Sequence, residues 1–213
     1  MTNILDDIRK NLISGNISKV KELTETAISE NISAEEVLNK GLIEGMGIVG
    51  EAFKKCEIYI PEVLIAAKAM HAGLAILEPI LAKSGVEPTG KVVIGTVKGD
   101  LHDIGKNLVA MMLKGAGFQI FDLGIDISPE KFVEAANERG AQLIAISSLL
   151  TTSMPSMRTA IDILKKSDTR NKIKTIVGGA PVTQGFADEI GADGYAKDAA
   201  SAVDKAKELL GKL

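Results

Sequence analysis

The chain has 213 residues, a formal net charge of −3, 46% hydrophobic residues and only 3% aromatic ones. That length suits two modest domains, each able to bury a core, and with no Trp the interiors must be filled by Ala, Val, Ile, Leu and Met. The slight acidity excludes the basic face that nucleic acid binding needs. Cys56 is alone, which excludes a disulfide framework and suits a reducing cytoplasm. The start of the chain, Met1–Asp7, is acidic and lacks the apolar stretch of a signal peptide. No apolar run is expected to approach bilayer-spanning length, so the expectation is a soluble cytoplasmic protein without membrane contact.

Residues 1–84 read as four amphipathic helices joined by short links, the pattern of a bundle. Ile4, Ile8 and Leu12 recur at helical spacing until Ser14-Gly15-Asn16 ends the first helix, and Val20, Leu23 and Ala27 mark the second. Ser33 with Glu36 three residues on predicts a capping box that opens the third helix, carrying Val37, Leu42, Met46, Val49 and Phe53. Pro61 suits the first turn of the fourth, which shows Leu64, Ala67, Met70, Leu74, Leu77 and Leu81. Gly45, Gly47 and Gly50 each cost about 1 kcal/mol in a helix interior, so close approach by another helix or a ligand is expected there. Phe53, Ile60 and Val63 flank the turn into the last helix and can be read as core or as an apolar surface.

Residues 85–90, Gly85-Val86-Glu87-Pro88-Thr89-Gly90, carry linker chemistry and place the domain boundary. Residues 91–213 then alternate strand and helix. Strands are expected at Lys91–Val97, Phe118–Leu123, Leu143–Ser148, Lys174–Val177 and Gly194-Tyr195. Helices are expected at Lys106–Gly115, Pro129–Arg139 (capped by Ser128), Met154–Lys166, Val182–Ile190 and Ala199–Leu210. Apolar strands alternating with helices predict a five-stranded parallel sheet covered on both faces, the flavodoxin-like, Rossmann-type doubly wound α/β fold.

The first strand runs into Gly99-Asp100-Leu101-His102-Asp103-Ile104-Gly105 before its helix, at the carboxyl end where open α/β sheets bind ligands. One nitrogen of His102 can bind a metal while the other donates to a carboxylate, which sets the tautomer and makes the ring more basic. Asp100, two residues back, is the better partner. With no second His or Cys nearby, a metal there needs its other ligands from elsewhere, such as a macrocycle. The alternative is a phosphate-binding turn at a helix N-terminus beside a bystander His. The third strand ends in the hydroxyl-rich Ser147–Ser153 and the fourth in Gly178-Gly179. These small residues would leave a narrow slot beside the His102 loop, or else supply a helix N-cap at Ser153 and a tight turn at the glycines.

Asp100/His102/Gly105, then Ser147/Leu149, then Gly178/Gly179 form, in this order, the Asp-x-His-x-x-Gly, Ser-x-Leu and Gly-Gly signature. On these residues the sequence resembles cobalamin-binding proteins of the methionine synthase type, and specifically the free-standing corrinoid proteins of methyltransferase systems. Val49–Phe53 and Tyr59–Val63 resemble that family's helical cap. The resemblance covers nearly the whole chain. It implies a cobalamin or related corrinoid as cofactor, with His102 as cobalt's lower axial ligand, Asp100 bonded to the imidazole and Ser153 extending the relay. It implies contacts from the loop Gly99, Asp100, Leu101, His102, Asp103, Ile104 and Gly105. The nucleotide tail would lie along Gly105, Ser147, Leu149, Thr151, Gly178 and Gly179, with Tyr195 and Ala199 at its far end, and Phe53, Ile60 and Val63 would cover the upper face. Thr152 stands where methionine synthase has Pro.

The function so implied is that of a methyl carrier. It would accept a methyl group on Co(I) from a substrate-specific methyltransferase using methylamine, methanol, methylthiol or aryl methyl ether donors. A second methyltransferase would pass the group to a thiol or tetrahydrofolate, and a reductive activase is a further expected partner. The chain would then be no complete enzyme, since no stretch is left for a methyl donor. Two other roles share parts of this pattern: a cobalamin-dependent regulator or light sensor, which would need an output module not visible here, and an adenosylcobalamin mutase subunit, which the helical cap fits less well.

Overall fold

In a computed structural model, which describes residues 3–84 and 87–212, the chain divides into two compact units, Met1–Glu87 and Pro88–Leu213. Of the expected linker, residues 85 and 86 lie outside the described residues, as do Met1 and Thr2 at the start.

The first unit is helical. Helix α1 (Ile4–Ile13) is capped by the Asn3 side chain and α2 (Ile17–Ser29) by that of Asn16. The third expected helix is one run of three pieces: α3 (Ala34–Glu36), a π-helical segment (Val37–Ile43) and α4 (Glu44–Lys54). Ser33 caps it as predicted, its hydroxyl accepting from Glu36 N–H at 3.1 Å, while the Glu36 carboxylate takes Lys40 at 2.8 Å. The π segment was not foreseen. Glu44 N–H reaches Asn39 C=O, a five-residue step, and over one turn this differs little in pattern from the four-residue step of an α-helix. Gly45 is packed as expected: a Cβ there would sit 3.2 Å from the Leu12 side chain of α1, and one at Gly41 would sit 3.1 Å from Ile8. Gly47 is not so packed, since a Cβ there would meet nothing within 4 Å. Arg9 of α1 ties this face together by pairing with both Asp6 and Glu44.

Helix α5 (Ile60–Ser84) packs against α1, α2 and α4. It corrects one expectation. Its stretch Ile60–Leu81, 22 residues with mean hydropathy 1.5, is long and apolar enough by length and composition to cross a membrane. The charges that interrupt it are few, and Val63, Ala66, Ala67, Ala69, Met70, Leu74 and Leu77 are all buried. A central bundle helix has this apolarity because it meets neighbours on more than one side.

The second unit is the predicted doubly wound sheet. Its strands are β1 (Lys91–Thr96), β2 (Gln119–Asp122), β3 (Leu143–Ser147), β4 (Lys174–Gly178) and β5 (Gly194–Ala196), all parallel, in the order β2-β1-β3-β4-β5. Helices α6 (Ile104–Gly115) and α10 (Ala199–Leu209) pair on one face, while α7 (Pro129–Arg139), α8 (Met154–Lys165) and α9 (Gln184–Ile190) cover the other. Val93, Ile144, Ile146 and Val177 of the strands bury against Phe132, Met157 and Ile161 of those helices. Ser128 occupies the N-cap position of α7 but makes no side-chain cap bond; Pro129 at the first turn, which has no N–H to cap, supplies the start signal instead. In register, Thr96, Ser147, Gly178 and Ala196 form one row across the sheet, and the loops beyond that row carry the site.

Candidate functional site

Asp100 is fully buried and organises the loop. Its Oδ1 accepts from His102 N–H at 3.0 Å and lies 2.7 Å from His102 Nδ1. Its Oδ2 accepts from Leu149 N–H at 2.6 Å, Leu150 N–H at 3.2 Å and the Ser153 hydroxyl at 3.2 Å. Burial by itself would raise this carboxyl, but the bonds from Leu149, from the His102 amide and ring, and from Ser153 outweigh it, lowering the carboxyl from 3.8 to about 2. An ionised, multiply bonded carboxylate fixes the proton of His102 on Nδ1 and leaves Nε2 as the free nitrogen. The ring is 53% exposed, and the Thr96 hydroxyl holds its backbone by donating to His102 C=O at 2.8 Å.

Ser153 stands at the N-cap position of α8 yet makes no side-chain cap bond. Its hydroxyl is turned to Asp100, to Leu150 C=O at 2.9 Å and to Ser148 Oγ at 2.7 Å. The β1–α6 and β3–α8 loops are thus joined through one carboxylate. The same loops expose large apolar side chains: Leu101 is 68% and Ile104 76% exposed, with Leu149 and Leu150 also at the surface, as is Ile125 in the loop after β2. Exposed apolar groups on the strand-end loops that also carry one free imidazole nitrogen suit the edge of a flat macrocycle.

The remaining residues of the signature divide. A Cβ on Gly105 would meet nothing within 4 Å, so this chain's own packing does not require a glycine there. Gly179 differs: its φ is +125° and a Cβ would fall 1.8 Å from Ser148 C=O, so glycine is the residue this crossing admits. Ser147 and Gly178 stand side by side in the row, and Thr151 is exposed in the loop after them. Asp103 is exposed and accepts from Asn107 Nδ2 at 3.1 Å. Tyr195 is partly buried and packs on the core beneath α8 and α9, and Ala199 is buried at the start of α10. In the helical unit Phe53 is partly buried, Ile60 exposed and Val63 fully buried.

Sequence reading passed over several groups that shape this site. Ser148 lies within the hydroxyl string but outside the signature. Asp126, at φ +55°, accepts from Gly99 N–H at 2.7 Å, and its own N–H donates to Asp100 C=O at 3.1 Å. Lys106 is buried with its ammonium between Asn107 Oδ1 at 2.6 Å and Asp122 Oδ2 at 2.5 Å. A buried cation needs such partners. An Asp-Ile-Ser turn after β2 and a Lys-Asn pair opening a helix are too common to single out without the fold.

Two models of the B12 binding domain match the chain, one over residues 90–204 and one over residues 4–78. A corrinoid protein of Desulfitobacterium hafniense (strain Y51) is 45% identical over 213 residues, covering 99% of each chain. Dimethylamine corrinoid protein 3 of Methanosarcina acetivorans is 44% identical over 207 residues, 97% of each. The solved methanol:cobalamin methyltransferase complex MtaBC of Methanosarcina barkeri superposes with a TM-score of 0.86 at 28% identity, over 99% of this chain and 80% of that one. The chain's cofactor is accordingly a corrinoid, and the chain belongs to the corrinoid proteins of the B12-binding family.

Proposed function

We propose that this chain carries methyl groups between methyltransferases, with His102 Nε2 as the lower ligand of its corrinoid. One observation carries the assignment: a half-exposed imidazole, its Nδ1 held 2.7 Å from a buried carboxylate, stands on strand-end loops that also expose Leu101, Ile104, Ile125, Leu149 and Leu150. A bound corrinoid supplies a cobalt centre that can take a methyl group from one partner and surrender it to the next. The protein's part is to hold and tune that centre. Asp100 keeps the Nδ1 proton in place and raises the donor strength of Nε2, while Ser153 and the amides of Leu149 and Leu150 keep Asp100 charged. A proton taken up at Nε2 would release the ligand, because a protonated imidazole cannot coordinate. The apolar loop residues exclude water from the ring's edge. Gly105, Ser147, Leu149, Thr151, Gly178 and Gly179, toward Tyr195 and Ala199, would take the nucleotide tail, and the open space at Gly105 supports a demand from outside the chain.

The site residues as a set, with Phe53 and Ile60 as the surface that shields the upper face, belong to this proposal; Val63, fully buried, would back them. A methyltransferase is the partner class supported by the complex from Methanosarcina barkeri. The relatives' names favour methylamines or methanol as donor substrates, acting through that first methyltransferase; a second methyltransferase, a reductive activase and a cytoplasmic location complete the reading. The domains are proposed as a cap over 1–84, a linker over 85–90 and a corrinoid unit over 91–213. The test is the His102→Ala variant reconstituted with cob(II)alamin. The expected result is a folded protein whose spectrum shows a water-ligated or base-off centre where the wild type shows a nitrogen ligand. A variant spectrum equal to the wild type's would overturn the assignment.

A further inference from the structure

Ser148 follows β3 and is fully buried. Its N–H donates to Gly178 C=O at 3.1 Å, and Gly179 passes so close to its carbonyl oxygen that a Cβ there would fall 1.8 Å from it. Its hydroxyl faces two groups, Ser153 Oγ at 2.7 Å and Leu150 C=O at 3.1 Å. The Ser153 hydroxyl faces three: Ser148 Oγ at 2.7 Å, Leu150 C=O at 2.9 Å and Asp100 Oδ2 at 3.2 Å. Each serine has one proton to donate, and the two cannot both donate across their shared contact.

The allowed arrangements are therefore few. When Ser148 donates to Ser153, the Ser153 proton is free for Asp100, and the chain of hydroxyls polarises toward the carboxylate. When Ser148 donates to Leu150 C=O, Ser153 can donate back to Ser148, and Asp100 loses its only hydroxyl donor. In the first arrangement the carboxylate shares its charge between Ser153 and His102. In the second its charge bears on the imidazole with less competition, which makes Nε2 the stronger donor.

We propose that Ser148 is a positioning residue that decides whether the Ser153 proton points at Asp100, and through Asp100 how firmly His102 holds the metal. The last step rests on the carrier reading; the ordering of the hydroxyls does not. With three acceptors in reach, the single Ser153 proton is shared among Asp100, Leu150 C=O and Ser148 Oγ in the wild type; Ser148→Ala removes the last of these, and of the two left the anionic carboxylate is the stronger. The imidazole then loses part of its share of Asp100.

The experiment is a double-mutant cycle of Ser148→Ala and Ser153→Ala on protein reconstituted with cob(II)alamin. The ratio of nitrogen-ligated to unligated cobalt is read by paramagnetic resonance at one pH. Ser148→Ala is expected to lower that ratio about two- to fivefold in the wild-type background and to leave it unchanged in the Ser153→Ala background. Ser148→Cys, which keeps the volume with a poor hydrogen-bonding group, should behave as Ser148→Ala does. The same cycle on cofactor-free protein, read by the ¹⁵N shift of His102 Nδ1, should show the same coupling. A ratio that holds or rises, equal effects in both backgrounds, or a Ser148→Cys variant matching the wild type would each overturn the proposal. Failure of the carrier reading would look different: no nitrogen ligation in the wild type, with the cofactor-free coupling still present.

Discussion

At the scale of single residues, Asp100 accepts five hydrogen bonds while fully buried, and that number sets its behaviour. A carboxyl lowered from 3.8 to about 2 contributes stability that is complete above its ordinary value and is lost as pH falls through the folded one. Urea midpoints of the cofactor-free protein should therefore fall between about pH 4 and about pH 2, with a component that Asp100→Asn lacks. That variant should also be less stable at neutral pH by about 1–3 kcal/mol, since the donors facing Oδ1 and Oδ2 lose an anionic acceptor. Phe53→Ala tests the shielding role that the carrier reading proposes: methylcobalamin bound to the variant should then photolyse faster, and an unchanged rate would return Phe53 to ordinary packing. The Asp100–His102 pair was legible in the sequence because its spacing of two is local. Ser148 was not, because only the pairing of β1 with β3 brings its hydroxyl and that of Ser153 into one buried cluster with Asp100.

At the scale of elements, the glycine after β4 is the most demanding position. Gly179→Ala must place a Cβ against Ser148 C=O at a φ that L side chains avoid, so a loss of about 3 kcal/mol or more is expected on thermal unfolding. Because the same carbonyl belongs to the site, cob(II)alamin affinity should fall with it. The edge strand β5 depends on a separate clamp. Asp193, which immediately precedes β5, pairs with Arg170 at 2.9 Å and accepts from both the amide and the hydroxyl of Thr175 at 2.9 Å. Burial would raise this carboxyl, but Arg170 and Thr175 hold it below the usual range. Asp193→Ala should cost about 1–3 kcal/mol in urea unfolding. Strand and helix positions in this unit were legible almost to the residue, as apolar runs and turn residues mark each boundary. The π segment Val37–Ile43 was not, because one five-residue backbone step leaves little trace in the apolar pattern.

For the whole molecule, the chain divides into two compact units, and the carrier reading makes it a protein that is visited by its partners. Prepared in its reduced Co(I) state and mixed with methylamine or methanol alone, the holo-protein should show no turnover, and adding a methyltransferase specific for the donor should restore it. Repeated transfer by this chain alone, between free donor and free acceptor, would sink the carrier reading. From the sequence alone came the parallel α/β class, the strand order type, the His102 loop at a strand's carboxyl end and the family resemblance, since each is written in local pattern or in ordered motifs. The expectation that no run is long enough to span a bilayer failed at Ile60–Leu81 because that reading tracked an amphipathic stripe, while a helix packed by several neighbours can be apolar over most of its circumference. Tertiary structure alone decided which carboxylate oxygen meets which donor, that Ser153 turns from its helix end to Asp100, and that Leu101, Ile104, Ile125, Leu149 and Leu150 stand exposed on the loops after β1, β2 and β3. Those facts join residues far apart in the chain, and only the parallel register that sets the strand ends side by side puts them within reach of one another.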